Sequence, residues 1–368
     1  MHILIIEPYF TGSHQRWAEE YARFSAHDVS ILSLPGRFWK WRMHGGAVSL
    51  AQQFLALPAP PDVILAGDML DVTTFLALTR PHTAHIPVAL YFHENQLTYP
   101  WSPTDRDVAA RRDSHYGFIN YASALAADAL FFNSEFHLNA FFDALPRFLK
   151  HFPDFNGLDN VATLRQKAQV LPLGLDLRRF DAFCPENRTA DETPIILWNH
   201  RWEYDKNPAV FFDVLYTLEK RGFDFRVAIL GENFRNSPAE FEQAHERIGE
   251  RIIHFGYAQS FATYAYWLHR ADILPVTSIH DFFGISVAEA IYCGCIPLLP
   301  RRLNYPQFIP QPLQAQYLYH TETELAEKLA ARITAHPALP PADLRNHVAR
   351  FDWGIMAAVY DDTLAALR

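Results

Sequence analysis

The chain has 368 residues, 49% hydrophobic and 20% charged, enough to bury one large core or two ordinary ones. Its formal net charge of -9 excludes a protein that binds polyanions with its whole surface, so a nucleic-acid partner would need a local basic patch. We find no apolar run near the roughly 20 residues of a membrane span and no leader peptide, and the three cysteines suggest no disulfide framework. We therefore expect a cytoplasmic protein, and the sequence leaves its oligomeric state open.

The first half alternates short apolar strands with helices, which is the pattern of a doubly wound α/β domain. Residues 1–7 predict a buried strand, residues 8–14 a loop and residues 15–25 a helix. Gly12 is the single glycine of that loop, so a plain turn is as well supported as a phosphate-binding loop. Further strands are predicted at residues 28–34, 63–66, 87–92, 129–132 and 169–171, and helices at residues 69–78, 118–127 and 137–143.

Residues 35–45 combine tryptophans with cations. Trp39 and Trp41 alternate with Arg37, Lys40 and Arg42, which is typical of a surface that stacks on bases and contacts phosphate. The alternative is an aromatic hinge that packs onto the domain while its cations extend to solvent.

Polar residues follow the strand at residues 87–92, where open α/β sheets bind ligands. His93, Glu94 and Asn95 are therefore site candidates, although His93 could be an ordinary loop histidine. The loop at residues 98–113 adds three arginines, and its Asp105-Arg-Asp107 tripeptide has the form of a metal motif. Because the tripeptide does not follow a strand, we assign no metal to it.

Residues 180–193 have few large apolar side chains and predict the domain boundary. The domains are placed at residues 1–180 and 190–350, and residues 351–368 are expected to form a helix that packs back toward the first domain. The second half repeats the alternation, with strands at residues 194–198, 225–230, 251–255, 271–276 and 295–299, and helices at residues 209–221, 260–270, 285–293, 324–335 and 351–367.

One strand–helix loop of the second half carries Arg201 and Lys206, a pair that suits a pyrophosphate. The ordinary alternative is a pair of solvated surface cations. Gly284, just before a helix, would let a phosphate approach the helix start. Glu289 lies on that nearly apolar helix, where it would bond either a ligand hydroxyl or a neighbouring group of the protein.

A resemblance rests on these residues. Asp281, seven further residues and Glu289 resemble the E-x7-E signature of retaining glycosyltransferases with the GT-B fold, with Asp in place of the first Glu. Beyond that signature, five segments resemble the tRNA-queuosine mannosyltransferase family: "ILIIEPYFTGSHQRW", "LPGRFWKWRMHG", "YFHENQLTYP", "HRWEYDKNP" and "DFFGISVAEAIYCGCIPLLP".

The resemblance implies a GT-B fold, in which two Rossmann-like doubly wound domains face each other across a cleft. It implies transfer of mannose from GDP-mannose to queuosine in a tRNA anticodon loop, with retention. No metal is expected, because Arg201, Lys206 and the helix start would supply the positive field, and no cluster has zinc-ligand spacing.

The site residues that we predict fall into three groups. The catalytic candidates are His93, Arg201, Lys206 and Asp281. The donor-binding candidates are Gly12, Ser13, Asn133, Glu232, Gly256, Tyr257, Phe283, Gly284 and Glu289. The candidates for the acceptor and tRNA are His14, Arg37, Trp39, Lys40, Trp41, Arg42, Glu94, Asn95, Arg106, Arg111 and Arg112.

Other functions stay open at this point. A GT-B enzyme could use another nucleotide sugar or another acceptor, and sugar-nucleotide epimerases share the fold. A protein that binds a nucleotide sugar or RNA without turnover is the non-enzymatic alternative. The acids and cations of the second half argue against such an inactive site.

Overall fold

The computed structural model describes residues 1–101, 115–185, 193–231, 238–337 and 341–368. The chain forms two compact units. The first comprises Met1–Leu175 together with Trp353–Arg368, and the second comprises Asp176–Asp352. Among the described residues, no helix is both long and apolar enough to cross a membrane.

The first unit is built on a six-stranded sheet in the order β2-β1-β3-β4-β5-β6, and every neighbouring pair is parallel. The strands are β1 (His2–Phe10), β2 (Asp28–Pro35), β3 (Val63–Gly67), β4 (Val88–Phe92), β5 (Ala129–Phe132) and β6 (Ala168–Val170). The strand order reverses between β1 and β3, so the carboxyl ends of these two strands form a ligand-binding switch point.

The described helices of this unit connect its strands, as parallel pairing requires. They are α1 (Gly12–Phe24), α2 (Trp39–Leu55), α3 (Val72–Thr83), α4 (His115–Ala126), α5 (Glu135–Leu149) and α6 (Asn160–Gln166). Their apolar sides pack on one face of the sheet or the other. Leu50 and Phe54 of α2, for example, join Leu4 and Ile64 of the sheet in one buried cluster.

The second unit repeats this plan with the order β12-β11-β10-β7-β8-β9, again with parallel neighbours. Its strands are β7 (Ile195–Trp198), β8 (Arg226–Leu230), β9 (Ile252–Gly256), β10 (Ile273–Pro275), β11 (Ile296–Pro300) and β12 (Leu318–Tyr319). Counted from β7, this is the Rossmann order, with its switch point between β7 and β10.

The core of the second unit is aromatic at one end. Trp198 of β7 packs against Phe211 and Phe241, and Trp202 stacks on Phe241 with ring centroids 4.2 Å apart. The helices of this unit are α7 (Pro208–Lys220), α8 (Glu240–Ile248), α9 (Phe261–Arg270), α10 (Ile285–Tyr292), α11 (Gln314–Tyr317), α12 (Glu322–Thr334) and α13 (Ala342–Val348).

The last helix, α14 (Trp353–Ala365), belongs to the first unit. Trp353 Nε1 donates a hydrogen bond to Glu20 of α1 at 2.8 Å, and Tyr360 and Asp361 bond Tyr91 and Tyr21 of the same unit. Helix α14, which is distant in sequence from the rest of the first unit, is thus held there by buried polar contacts as well as by packing.

Several boundaries differ from the sequence predictions. The predicted loop at residues 8–14 is wrong, because β1 continues to Phe10 and α1 already begins at Gly12. Helix α2 was missed, because Gly45 and Gly46 obscure the helical spacing of its buried residues Met43, Ala47, Leu50 and Phe54. Helices α6, α8 and α13 were not predicted either.

Candidate functional site

In the second unit, predicted catalytic residues follow the two strands of the switch point. Arg201 and Lys206 lie in the segment after β7, and Asp281 lies in the segment after β10. Ligands of open α/β sheets bind beyond the carboxyl ends of such a strand pair. The fold therefore brings these three residues to one edge of one sheet.

Lys206 is the buried cation of this edge. Its Nζ lies 3.1 Å from Asp205 Oδ2 and 3.5 Å from Asp281 Oδ2, and it donates to the carbonyl of His280 at 3.0 Å. Burial opposes its charge, but the attraction of Asp281 and Asp205 outweighs burial and raises the pKa of Lys206. Lys206 is therefore an ammonium ion at neutral pH.

Asp281 carries the opposite charge of this network. Burial works to raise its pKa, but Lys206 and nearby His200, together with the hydrogen bond that Tyr305 donates at 3.1 Å, lower the pKa below its usual value. An ionised Asp281 is an acceptor for ligand hydroxyls.

Arg201 is the accessible cation of the same segment. Its side chain is 49% exposed and pairs with Glu203 at 3.1 Å. Its guanidinium can approach a phosphate from solvent without the loss of a buried contact, in contrast to Lys206.

The start of α10 lies at this edge as well. Gly284 has φ 100°, and a Cβ at that position would lie 3.0 Å from the ring of Phe308, so both conformation and space favour glycine. Asn199 Nδ2 donates to the carbonyl of Ser286 at 2.8 Å, and His200 Nδ1 lies 3.0 Å from Ser286 Oγ. These bonds tie the segment after β7 to the first turn of α10, whose N–H groups favour an anion.

His200 is a neutral histidine in this arrangement. Burial is the main cause that lowers its pKa, the charge of Lys206 lowers it further, and the opposing attraction of Asp281 and Asp205 leaves it at about 4. Sequence reasoning missed His200, Asp205 and Tyr305, although Asp205 is the residue before Lys206.

Glu289 has a protein partner. It is 4% exposed and accepts a hydrogen bond from Tyr264 OH at 2.8 Å. This contact is of the kind that the alternative interpretation required, so a ribose contact of Glu289 stays a prediction.

The structure gives less support to a ligand contact for the other donor candidates of the second unit. Phe283 is buried, and its ring packs edge-on against Phe308 and Phe351, so its side chain serves the core. Gly256 ends β9, an outer strand of the sheet, and Tyr257 beside it is 58% exposed. Glu232 lies outside the described residues.

In the first unit, the switch point holds a buried cluster of titratable side chains that we name the Glu7 cluster: Glu7, His14, Asp68 and His93. Glu7 lies on β1, Asp68 follows β3 and His93 follows β4. His14 Nδ1 lies 3.2 Å from Glu7 Oε2, the rings of His14 and His93 are 4.3 Å apart, and Asp68 Oδ1 accepts from the backbone N–H of His93 at 2.8 Å. Glu7 and Asp68 were not predicted as site residues, although Glu7 lies in the carboxyl half of β1 and Asp68 directly follows β3.

The charges of the Glu7 cluster are coupled. Burial lowers the pKa of His14, but Glu7, Asp68 and Glu94 raise it more, to about 9. Burial lowers the pKa of His93 well below its usual value, with a further contribution from His14. Among the described residues, Glu7, His14 and His93 also offer ligand atoms that lie within 4.8 Å of one another. Residues 7, 14 and 93 have no zinc-type spacing in the sequence, so this grouping lay beyond our sequence prediction.

The polar candidates around His93 mostly support its loop. Asn133 Nδ2 donates to the carbonyl of His93 at 2.9 Å, and Asn95 Oδ1 accepts from the backbone N–H groups of Leu97 and Thr98. Glu94 accepts from Gln96. Gly12 and Ser13 are exposed in the first turn of α1, where Gly12 has φ 53°.

Some residues of the segment 35–45 pack onto the domain, as the hinge interpretation expects, and others are exposed, as a base-stacking surface would be. Trp39 packs near Tyr116 and Trp101, while Lys40 Nζ lies 5.5 Å and 5.2 Å from the ring centroids of Trp39 and Trp101. Trp41 is 63% exposed, as a base-stacking surface requires.

The cations beside Trp41 also differ, because one contacts the protein backbone and another is exposed. Arg42 Nε donates to the carbonyl of Pro35 at 3.0 Å, and Arg37 is exposed. Arg106, Arg111, Arg112 and the Asp105-Arg-Asp107 tripeptide lie outside the described residues.

Two doubly wound units of this kind, together with a family match, place the chain among the glycosyltransferases of the GT-B fold. Residues 180–339 match the family model for glycosyl transferases of group 1. The chain is similar to HepE of Anabaena in complex with UDP (TM-score 0.68, 14% identity, 100% of each chain) and to sucrose-phosphate synthase of Thermosynechococcus elongatus (TM-score 0.66, 14% identity, 100% of each chain).

Sequence similarity narrows the class to a family. Residues 2–175 match the N-terminal model of tRNA-queuosine alpha-mannosyltransferase. A Drosophila melanogaster tRNA-queuosine alpha-mannosyltransferase is 38% identical over 339 residues, which cover 89% of this chain and 86% of the relative. The chain belongs to the tRNA-queuosine alpha-mannosyltransferase family, and it is a glycosyltransferase.

Proposed function

We propose that this chain transfers mannose from GDP-mannose to queuosine in the anticodon loop of tRNA, with retention of configuration. The observation that carries the proposal is the 38% identity, over most of both chains, to a relative named as a tRNA-queuosine alpha-mannosyltransferase. The acceptor side is supported by the family match over residues 2–175, and the donor side by the group 1 match over residues 180–339.

The donor diphosphate is proposed to bind at the switch point of the second unit. Arg201 and Lys206 would contact its oxygens, and the first turn of α10 would add N–H groups. Negative charge grows on the leaving phosphate in the transition state, so these fixed positive groups would stabilise it more than the ground state. In this proposal the protein's own cations perform that role, and no metal at the diphosphate is required.

Transfer with retention is proposed to occur on one face of the sugar, with the leaving phosphate accepting the proton of the attacking hydroxyl. Asp281 would hold the donor sugar through its hydroxyl groups, and Glu289 would hold the nucleotide ribose.

The tRNA is proposed to contact the first unit through Arg37, Lys40, Trp41 and Arg42. The net charge of -9 makes such a local cationic surface necessary. A tRNA substrate and three free cysteines suit the cytoplasm, where we place the protein.

The test uses two tRNA pools, one from cells that make queuosine and one from cells that do not. Each pool is incubated with the protein and with a panel of nucleotide sugars, then digested, and the nucleosides are weighed by mass spectrometry. Among the nucleotide sugars of the panel, we expect only GDP-mannose to give queuosine that carries a hexose. Equal transfer to both pools would refute queuosine as the acceptor, a better donor would refute GDP-mannose, and conversion of the free nucleotide sugar without tRNA would indicate an epimerase.

A further inference from the structure

The Glu7 cluster contains more buried polar atoms than its own contacts satisfy. Among the described residues, Asp68 Oδ2 and His93 Nε2 are buried without a hydrogen-bond partner, and they lie beside the buried ion pair of Glu7 Oε2 and His14 Nδ1 at 3.2 Å. Buried polar atoms in folded proteins are nearly always paired, and two unpaired atoms beside a buried ion pair indicate a missing ion or ligand.

We propose that Glu7, His14 and His93 bind a divalent transition-metal ion, with Zn²⁺ as the best match. Their ligand atoms lie within 4.8 Å of one another, and the Glu7–His14 pair is 3.2 Å apart. Bonds of about 2.0–2.1 Å place tetrahedral ligand atoms about 3.3 Å apart. The pair already has that separation, and His93 reaches it by a movement of about 1.5 Å or less.

The donor set selects the class of metal. Two imidazole nitrogens and one carboxylate suit zinc and its transition-metal neighbours, whereas Mg²⁺ and Ca²⁺ prefer oxygen ligands. Because the Glu7–His14 pair holds a proton at neutral pH, metal binding releases that proton to solvent. Asp68, whose Oδ2 is buried and unpaired, supplies a possible fourth ligand atom or an outer partner. Three protein ligands would leave one position for water or a substrate hydroxyl.

The surrounding backbone positions these ligands. Tyr9 N–H donates to Glu7 Oε1 at 2.9 Å, so the second carboxylate oxygen is the one directed to the cluster. A Cβ at Gly67 would lie 2.3 Å from Glu7 Oε2, so the glycine leaves room for that oxygen. Bonds from Asn133 to the His93 carbonyl and from the backbone N–H of His93 to Asp68 hold the backbone of the third ligand. The Tyr9 bond to Glu7 is an outer contact of the kind that ligating carboxylates make.

The experiment measures metal binding directly and does not depend on sugar transfer. Untagged full-length protein is stripped with EDTA, and Zn²⁺, Mn²⁺ and Mg²⁺ are then titrated by calorimetry, with the metal content of dialysed protein measured by mass spectrometry. We expect one Zn²⁺ per chain, weaker Mn²⁺ binding and no specific Mg²⁺ binding. Zn²⁺ should also raise the melting temperature, because it binds the folded state.

Two variants test the ligands. Glu7→Gln preserves the size of the side chain and an acceptor for Tyr9 N–H, and we expect it to lower Zn²⁺ affinity at least about tenfold. His93→Asn should lower the affinity similarly, and circular dichroism checks that both variants fold. A folded variant that binds Zn²⁺ as the wild type does would overturn the assignment.

The control addresses surface histidines. His44 Nε2 and His115 Nε2 lie 3.0 Å apart on an exposed part of the first unit and could capture Zn²⁺ themselves. The double variant His44→Asn/His115→Asn should retain one Zn²⁺ per chain. Loss of the metal in this variant alone, or no stoichiometric binding by the wild type, would leave Glu7 and His14 as a plain ion pair and refute the proposal.

Discussion

Replacement of Arg201 by alanine separates catalysis from stability more cleanly than any other change at the donor edge. The Arg201 side chain is 49% exposed, and it forms an ion pair with Glu203 at 3.1 Å. Exposed ion pairs contribute about 0–1 kcal/mol, so the free energy of unfolding should change by no more than about 1 kcal/mol.

The expected effect on turnover is much larger. If Arg201 contacts the diphosphate, the variant loses a charge-assisted contact that strengthens as the leaving group departs, which costs about 2–4 kcal/mol. That cost corresponds to a fall of about 30- to 900-fold in turnover at saturating donor. The assay is the initial rate of hexose transfer to queuosine-containing tRNA, with chemical denaturation measured on the same preparation.

Arg221→Ala is the matched control, because Arg221 is 39% exposed and pairs with Glu327 at 2.9 Å. It should retain the wild-type rate with a similarly small change in stability. Full turnover by Arg201→Ala at saturating donor, or an equal loss in Arg221→Ala, would refute the reasoning.

Three further predictions test other parts of the chain. Glu289→Gln should fold and bind GDP about tenfold or more weakly by calorimetry, because a charged acceptor for the ribose is lost. The double variant Lys40→Ala/Arg42→Ala should flatten the dependence of tRNA affinity on salt by roughly 0.7–0.9 in log–log slope per lost phosphate contact, with GDP affinity unchanged. The wild type should lose stability between pH 7.5 and pH 5, and in His200→Gln that loss should be smaller by about 2 kcal/mol. The folded-state pKa of His200 is about 4, so over that range the unfolded chain binds a proton that the folded chain does not.

Each of these predictions has its own control. Tyr264→Phe removes the protein partner of Glu289, so equal GDP binding by Glu289→Gln with a stability loss in both variants would favour a structural role. Lys220→Ala/Arg221→Ala removes two exposed cations of the second unit and should leave the salt dependence of tRNA binding intact. His82→Gln removes an exposed histidine and should keep the wild-type pH dependence of unfolding, and the same dependence in His200→Gln would contradict the assignment.

Much of the second unit could be predicted because its strands are continuous apolar runs, and each run ends at the polar residues that concern function. Arg201 and Lys206 were proposed in this way, because ligands bind at the carboxyl ends of parallel strands, whereas Asp281 was proposed from its spacing to Glu289. Their mutual contacts could not be found. Asp281 also accepts a bond from Tyr305, 24 residues further along, which sequence spacing does not indicate.

The first unit shows a different limit. His14 and His93 were predicted separately, but sheet order decides that β1, β3 and β4 are neighbours and hence that Glu7 and Asp68 join the histidines. Strand order is a long-range property, and no local pattern in residues 1–100 reports it. Helix α2 was lost for a local reason, because two adjacent glycines lower helix propensity within an otherwise periodic segment.

Lys206 and Arg201 illustrate why loss of activity alone cannot assign a role at this edge. Removal of Lys206 would leave Asp205 and Asp281 without their shared buried cation, and a broken buried pair costs about 3–5 kcal/mol. A fall in turnover would then mix lost phosphate binding with a disturbed fold. The diphosphate must also compete with these carboxylates for Lys206, whereas the guanidinium of Arg201 is half exposed. Substitution of Arg201 therefore measures the electrostatic contribution to transfer. Substitution of Lys206 measures that contribution together with the loss of its buried ion pairs.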